Sequence, residues 1–271
     1  MAKPTVPRGL GPRTPLRIAA PRLLEARLGD VRKYEQALLR GLPAEPIHDM
    51  RVASRRLRAA LDVFGLRNLE PGVKELQDAL GAVRDLQLQV AWFARRSRAL
   101  AARRRDLLPS AAAAFRRTLD VWRSRTAQGI VEATLELAAR GRFGGPRMRR
   151  IVRKRLGMVA RRMRAVEQNP DALTAHRLRI AVKKLRYCAE LAGPALPKQS
   201  KKLLGQLVPL QEMLGDLHDM DVRIALLGVM RASGLRRSER ARRARLAQQL
   251  LRELLRWQKK NLVHHLRREW D

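Results

Sequence analysis

From about Pro21 to the C-terminus, apolar residues recur at spacings of three and four among Leu, Ala, Arg, Glu and Gln. That is the pattern of amphipathic helices with one stripe turned to a core. β-Branched residues are scattered, and no stretch sustains the period-two alternation of a half-buried strand. The chain therefore reads as all-α. Gly and Pro interrupt the pattern at Gly41 to Pro46, Gly65 to Gly72, Gly141 to Pro146, Asn169 to Pro170 and Gly193 to Pro197, leaving about eight main helices. Residues 1–20 are rich in Pro, Gly and Arg and lack an apolar stretch long enough for a signal peptide, so they read as a flexible basic arm. No uninterrupted apolar run elsewhere is long enough for a bilayer, so no membrane partner is expected.

Two motifs repeat in the same order. The first copy, Ile47 to Arg58, aligns with Ala175 to Arg186, so that His48 matches His176, Arg51 matches Arg179, Arg55 and Arg56 match Lys183 and Lys184, and Arg58 matches Arg186. Downstream, Leu76-Gln77-Asp78-Ala79-Leu80-Gly81 running to Asp85 aligns with Leu210-Gln211-Glu212-Met213-Leu214-Gly215 running to Asp219. Repetition in order predicts an internally duplicated helical bundle, two roughly four-helix halves related by a pseudo-twofold axis. The seam is expected at Gly141 to Pro146, dividing residues 21–140 from 141–271.

At about 100° per residue, His48, Arg51, Arg55 and Arg58 fall within an arc of roughly 80°, as do His176, Arg179, Lys183 and Arg186. The opposite sides carry Met50, Ala53, Leu57, Ala60, Leu61 and Phe64 in one copy and Leu178, Ala181, Leu185, Cys188, Ala189 and Ala192 in the other. Donors spread over three turns suit a linear chain of phosphates better than one compact phosphate. Arg brings a planar fork for phosphate oxygens and Lys a point charge. The starts of the two helices add free N–H groups and the positive end of a dipole. A solvated basic face is the bland alternative, and recurrence at one register argues against it. Tyr187 borders the second arc and serves either packing or a hydroxyl contact. Arg147, Arg150, Lys154 and Arg161 share a face of the preceding helix, as a second groove wall or as solvated charge. Asp85 and Asp219 lie opposite their helices' apolar stripes, placed to orient neighbouring arginines or to form surface ion pairs.

Charge narrows the partner. Lys and Arg number 59 against 25 Asp and Glu, a formal net charge of +34, which calls for an anionic ligand. The hydrophobic share of 45% supports a sizeable core, so this is no disordered basic tail. Aromatics at 4% leave few stacking platforms, which weakens a nucleic-acid reading. The single cysteine, Cys188, sits in a helical pattern and is expected as a reduced, packed thiol, which fits a cytoplasmic location.

The paired His-x-x-Arg-x-x-x-[Arg/Lys]-[Arg/Lys]-Leu-Arg elements, each followed by Leu-Gln-x-x-Leu-Gly-x-x-x-Asp, resemble the CHAD family of conserved-histidine α-helical domains over nearly the whole chain after Pro21. Lys184-Leu185-Arg186-Tyr187 is especially similar to the family's second-half signature. The resemblance implies a two-bundle fold over residues 21–271, a basic surface or pore at the pseudo-twofold axis, binding of inorganic polyphosphate, and no catalytic step or cofactor. It carries His48, Arg51, Arg55, Arg56, Arg58, His176, Arg179, Lys183, Lys184 and Arg186 over as phosphate contacts, with Tyr187, Arg147, Arg150 and Lys154 as further candidates. The copies differ where Ala59 stands against Tyr187 and Arg84 against His218. Many family members are fused to a CYTH triphosphate-tunnel domain, but no Glu-x-Glu-x-Lys element occurs here. The expected setting is the cytoplasm, at polyphosphate granules.

Two rivals remain. Non-specific nucleic-acid binding follows from charge alone through counterion release. A metal-dependent phosphohydrolase can be built on His48-Asp49 and His218-Asp219, but five histidines supply a four-ligand site poorly, and no phosphate loop or cysteine cluster occurs. Neither a metal nor an enzymatic activity is expected.

Overall fold

A computed structural model describes residues 3–136 and 146–271, and every regular element among them is helical. The chain divides into two compact units, Met1–Phe143 and Gly144–Asp271. Of the expected seam, Gly141 to Gly145 lie outside the described residues, and Pro146 opens a helix.

The first unit runs α1 (Leu16–Arg32), α2 (Glu35–Arg40), α3 (Ala44–Phe64), α4 (Glu70–Ala94), α5 (Arg98–Arg105), α6 (Leu108–Val121) and α7 (Ala127–Leu135). α3 packs against α1 and α4, and α4 also packs against α5 and α6. The second unit runs α8 (Pro146–Gln168), α9 (Ala172–Ala192), α10 (Pro197–Val229), α11 (Ser233–Lys259) and α12 (Leu262–Arg268). α9 packs against α8 and α10, and α11 closes on α10. The first basic motif thus lies on α3 beside α4, and the second on α9 beside α10.

The apolar faces read from the sequence form core. Met50, Leu57, Ala60 and Leu61 of α3 and Leu178, Leu185, Cys188, Ala189 and Ala192 of α9 are all 0% exposed. Each buried Leu or Met contributes about 1.5–3 kcal/mol relative to exposure, so this burial fixes which face of each helix is left for charge.

The arm expected over residues 1–20 is corrected. α1 begins at Leu16, buries Leu16, Ala19 and Ala20, and carries Pro21 within it. The segment ahead of it is tied down: the Thr5 hydroxyl donates to Asp30 Oδ1 at 2.6 Å and Arg27 donates to the Thr5 carbonyl at 2.7 Å. Arg27 is 2% exposed, and a buried guanidinium needs such acceptors.

One wider π turn, Trp122–Thr126, joins α6 to α7. It lies against Gly72 of α4, where an added Cβ would come within 2.5 Å of Thr126 Oγ1. Only glycine permits that approach.

Candidate polyanion-binding site

On α3, His48, Arg51, Arg55 and Arg58 are all half-buried. Neighbours on α4 set their positions. The Arg51 guanidinium lies against Gly81, where a Cβ would meet Arg51 Nε at 3.4 Å. The glycine of the Leu-Gln motif therefore gives the arginine a flat seat on helix backbone. Arg58 donates to Gln77 Oε1 at 3.3 Å and lies 3.6 Å from Glu70 Oε2, so the glutamine of that motif also holds a member of the row. Arg84 donates to the Ala44 carbonyl at 3.4 Å, and Gln87 donates to the Leu42 carbonyl at 2.8 Å. These bonds pin the entry of α3 to α4 and bring Arg84 to His48. Burial first, then Arg84 and Arg55, hold the His48 pKa below its ordinary value, and only Asp49 opposes them. These neighbours and the burial favour the neutral imidazole at His48.

Arg84, at a position where the two copies differ, joins this cluster beside His48. The position before Asp85 and Asp219 carries a donor in both copies, Arg84 and His218, a regularity that the sequence itself shows.

On α9, His176, Arg179 and Lys183 are likewise half-buried. His176 Nδ1 lies 3.4 Å from His218 Nδ1 of α10, with ring centroids 5.0 Å apart. Each motif histidine thus meets the equivalent position of its partner helix. Burial, then Arg179 and Lys183, lower the His176 pKa.

The copies part at their ends. Arg58 is 28% exposed, whereas Arg186 is 7% exposed and donates to the buried Glu190 carboxylate at 3.1 Å. With Arg186 turned to Glu190, Gln211 Oε1 is buried with no hydrogen-bond partner among the described residues, although its counterpart Gln77 accepts from Arg58. The structure therefore assigns Arg186 to the core of the second unit, and Tyr187 is 8% exposed there. Neither fits the expectation of a phosphate contact. Arg56 is also buried, at 5%, on the side of α3 that carries Asp49, whose carboxylate hydrogen-bonds Tyr34. Desolvation and Asp49 raise the Tyr34 pKa, and Arg56 opposes them. Asp49 thus serves packing between α3 and the Tyr34 turn.

Lys184 is exposed but turned away from the α9 row, and its carbonyl accepts from Arg155 of α8 at 2.9 Å. Arg147, Arg150, Lys154 and Arg161 are exposed along α8, and Asp85 and Asp219 are exposed on α4 and α10. At the start of α9, the Asp171 carboxylate accepts from the Thr174 N–H at 2.6 Å, so that helix end already holds an anion. α3 starts without a side-chain cap. Its first turn carries the Glu45 carboxylate, so each helix start already has an acidic side chain beside it. Among the described residues, no group of three or more His, Cys, Asp or Glu is gathered as metal ligands would be.

A family model described as the CHAD domain matches residues 22–228. The chain belongs to the CHAD family. A crystal structure of the CHAD domain from the plant Ricinus communis is similar to it with a TM-score of 0.70 and 25% identity, covering 99% of this chain and 95% of that one. No curated protein matches. No helix among the described residues is long and apolar enough to cross a membrane. Both repeated elements begin inside the span that matches the CHAD model, and residues 229–271, which include α11 and α12, lie beyond it.

Proposed function

We propose that this CHAD domain binds inorganic polyphosphate at cytoplasmic granules, without a catalytic step, each unit holding the chain against its own row of cations. The observation that carries this reading is the recurrence of one arrangement, His48, Arg51 and Arg55 beside Arg84 on α3 and α4, and His176, Arg179 and Lys183 beside His218 on α9 and α10. Both rows are half-buried, so the cations act in a lower effective dielectric than surface charges and are seated before any ligand arrives. No Phe, Tyr or Trp is a member of either row, and polyphosphate has no bases to stack.

The test is competition at near-physiological salt, because a chain of net charge +34 associates with any polyanion when screening is weak. Labelled long-chain polyphosphate is displaced by unlabelled polyphosphate or by single- or double-stranded DNA at matched phosphate concentration. Polyphosphate is expected to win by more than tenfold, about 1.4 kcal/mol. Equal displacement by DNA overturns the reading in favour of a general polyanion binder. The triple variant R51E/R55E/R58E leaves Met50, Leu57 and Leu61 untouched, so it should remain helical and lose polyphosphate affinity. Undiminished binding by that variant removes the α3 row from the site.

A further inference from the structure

The corner where α4 turns into α5 carries a basic cluster that the rows on α3 and α9 do not use. Between Asp85 and Asp106 there is no acidic residue, and Arg95, Arg96, Arg98, Arg103, Arg104 and Arg105 all fall in that stretch. The turn is tight, since the Phe93 carbonyl accepts from the N–H groups of both Arg96 and Ser97 at 2.8 Å. The Ser97 hydroxyl then caps α5 by accepting from the Leu100 N–H. α5 folds back along α4, and Arg104 Nε reaches Gln89 Oε1 at 2.7 Å. This hairpin gathers Arg95, Arg98, Arg103 and Arg105 as exposed cations at one end of the first unit.

The corner is not a continuation of the α3 row. Arg84 and Arg95 lie on one side of α4, about 16 Å apart along the helix. Exposed Leu88 and Ala91 lie between them on that side, with no cation to carry a phosphate across. The corner also has something the rows lack. Trp92 is half-exposed, and the Arg96 guanidinium lies over its ring at 4.1 Å from the centroid, with Phe93 edge-on at 5.0 Å. An indole and a guanidinium plane amid arginines accept the flat face of a base while neighbouring charges take its phosphates. The Arg96 guanidinium also donates to the Trp92 carbonyl at 2.9 Å, which keeps it beside the indole, and at an exposed site the cation–π contact itself is weak enough to yield to an entering ring.

We propose that the α4–α5 corner is a second site, which takes single-stranded nucleic acid by stacking at Trp92 and Arg96 and by phosphate contacts from Arg95, Arg98 and Arg103. A duplex offers no free base face, and polyphosphate has no base.

The chain supplies its own probe. Of its four tryptophans, Trp122 and Trp257 are 1% exposed and Trp270 is 0% exposed, so Trp92 alone is accessible to a stacking base. The full chain is titrated at near-physiological salt with oligouridylate, with a duplex of equal length, and with polyphosphate at matched phosphate concentration. Tryptophan emission and the anisotropy of labelled oligonucleotide are read together. Oligouridylate is expected to quench the emission, and polyphosphate to leave it unchanged. Trp92→Leu should lower oligouridylate affinity about fivefold or more. The variant R95E/R98E/R103E should lower it at least tenfold while polyphosphate affinity stays within twofold. Oligouridylate binding indifferent to both variants, a duplex bound as tightly, or polyphosphate affinity falling in step with R95E/R98E/R103E each overturns the proposal. A strand held at this corner leaves the α3 row open, so it does not register as displaced polyphosphate. Failure of the R51E/R55E/R58E variant to lose polyphosphate would remove the α3 row from the polyphosphate site and leave the result at the corner standing.

Discussion

Replacing Arg186 by Met tests whether the two copies of the basic motif have divided structural and binding work between them. Arg186 and Glu190 are 7% and 10% exposed and 3.1 Å apart, so removing the guanidinium takes this counter-charge from a largely buried carboxylate. Breaking such a pair from one side costs about 3–5 kcal/mol. That is a large part of the roughly 5–15 kcal/mol that holds a domain together. At about 3 °C per kcal/mol for a unit of this size, the melting transition of the second unit should fall by about 10 °C. The equivalent change Arg58→Met removes a cation that is 28% exposed, 3.6 Å from Glu70, and bonded to one glutamine. Its cost should be about 1 kcal/mol or less after solvent screening. The double variant R186M/E190M removes both charges and should recover most of the loss, since apolar replacement of a buried pair is often neutral. Thermal and urea unfolding followed by circular dichroism give the stabilities, and titration with polyphosphate gives the affinities. Arg186→Met should unfold early yet, at a temperature where it is folded, bind nearly as well as the parent. Arg58→Met should be stable and bind about tenfold more weakly, the size of one charge-assisted hydrogen bond. An Arg186→Met protein that melts within about 2 °C of the parent and loses polyphosphate would refute the reasoning and restore Arg186 as a contact.

Three further outcomes follow from the same geometry. The pKa values of His48 and His176 are lowered in the folded protein, while the unfolded chain protonates near 6.5, so the unfolded state binds more protons as pH falls. Stability should therefore drop as pH falls below about 6.5 toward the folded values. Phosphate beside either ring favours the imidazolium, so polyphosphate should bind more tightly in the same window, with proton uptake measurable by calorimetry in buffers of different ionisation enthalpy; zero uptake near pH 6 counts against these histidines as contacts. Gly81→Ala should be accepted, its Cβ making ordinary contact with Arg51, and should gain about 0.5–1 kcal/mol from helix propensity, whereas Gly72→Ala should lose about 1–3 kcal/mol against Thr126, as chemical denaturation would show. Asp171→Ala should cost about 1 kcal/mol by uncapping α9, read in the unfolding midpoint of the second unit.

Helix type and core were legible because period is a backbone property, and the apolar residues named for α3 and α9 are buried where the period puts them. Helix ends were legible only where Gly or Pro announced them. The ends at Arg231 and Asn261 were not, because these residues adopt left-handed φ values of 55° and 46° themselves. Pro209 interrupts nothing and lies inside α10. At the candidate site, a helical wheel gives angle and not surroundings. It grouped Arg58 with Arg186, and each has a carboxylate four residues on, Asp62 and Glu190. α3 ends at Gly65 with φ 87°, and the returning chain hands Asp62 to Arg67 at 2.7 Å, leaving Arg58 to Gln77. α9 ends at Gly193 with φ −50°, and Glu190 pairs with Arg186. One spacing therefore gave two pairings, decided by the turn beyond the helix. Arg56 was visible as an outlier, since it lies about 80° or more from every member of the row on the wheel.

The seat that Gly81 gives Arg51 bears on time as well as place. An arginine free in solvent samples many rotamers, and holding it still costs about 2 kcal/mol of side-chain entropy. Pressed on the α4 backbone, Arg51 has given up part of that freedom when the chain folds, long before a ligand arrives. A phosphate that meets it finds a donor already oriented, so encounter need not wait on a rotamer search, and the ordering cost at binding is correspondingly smaller.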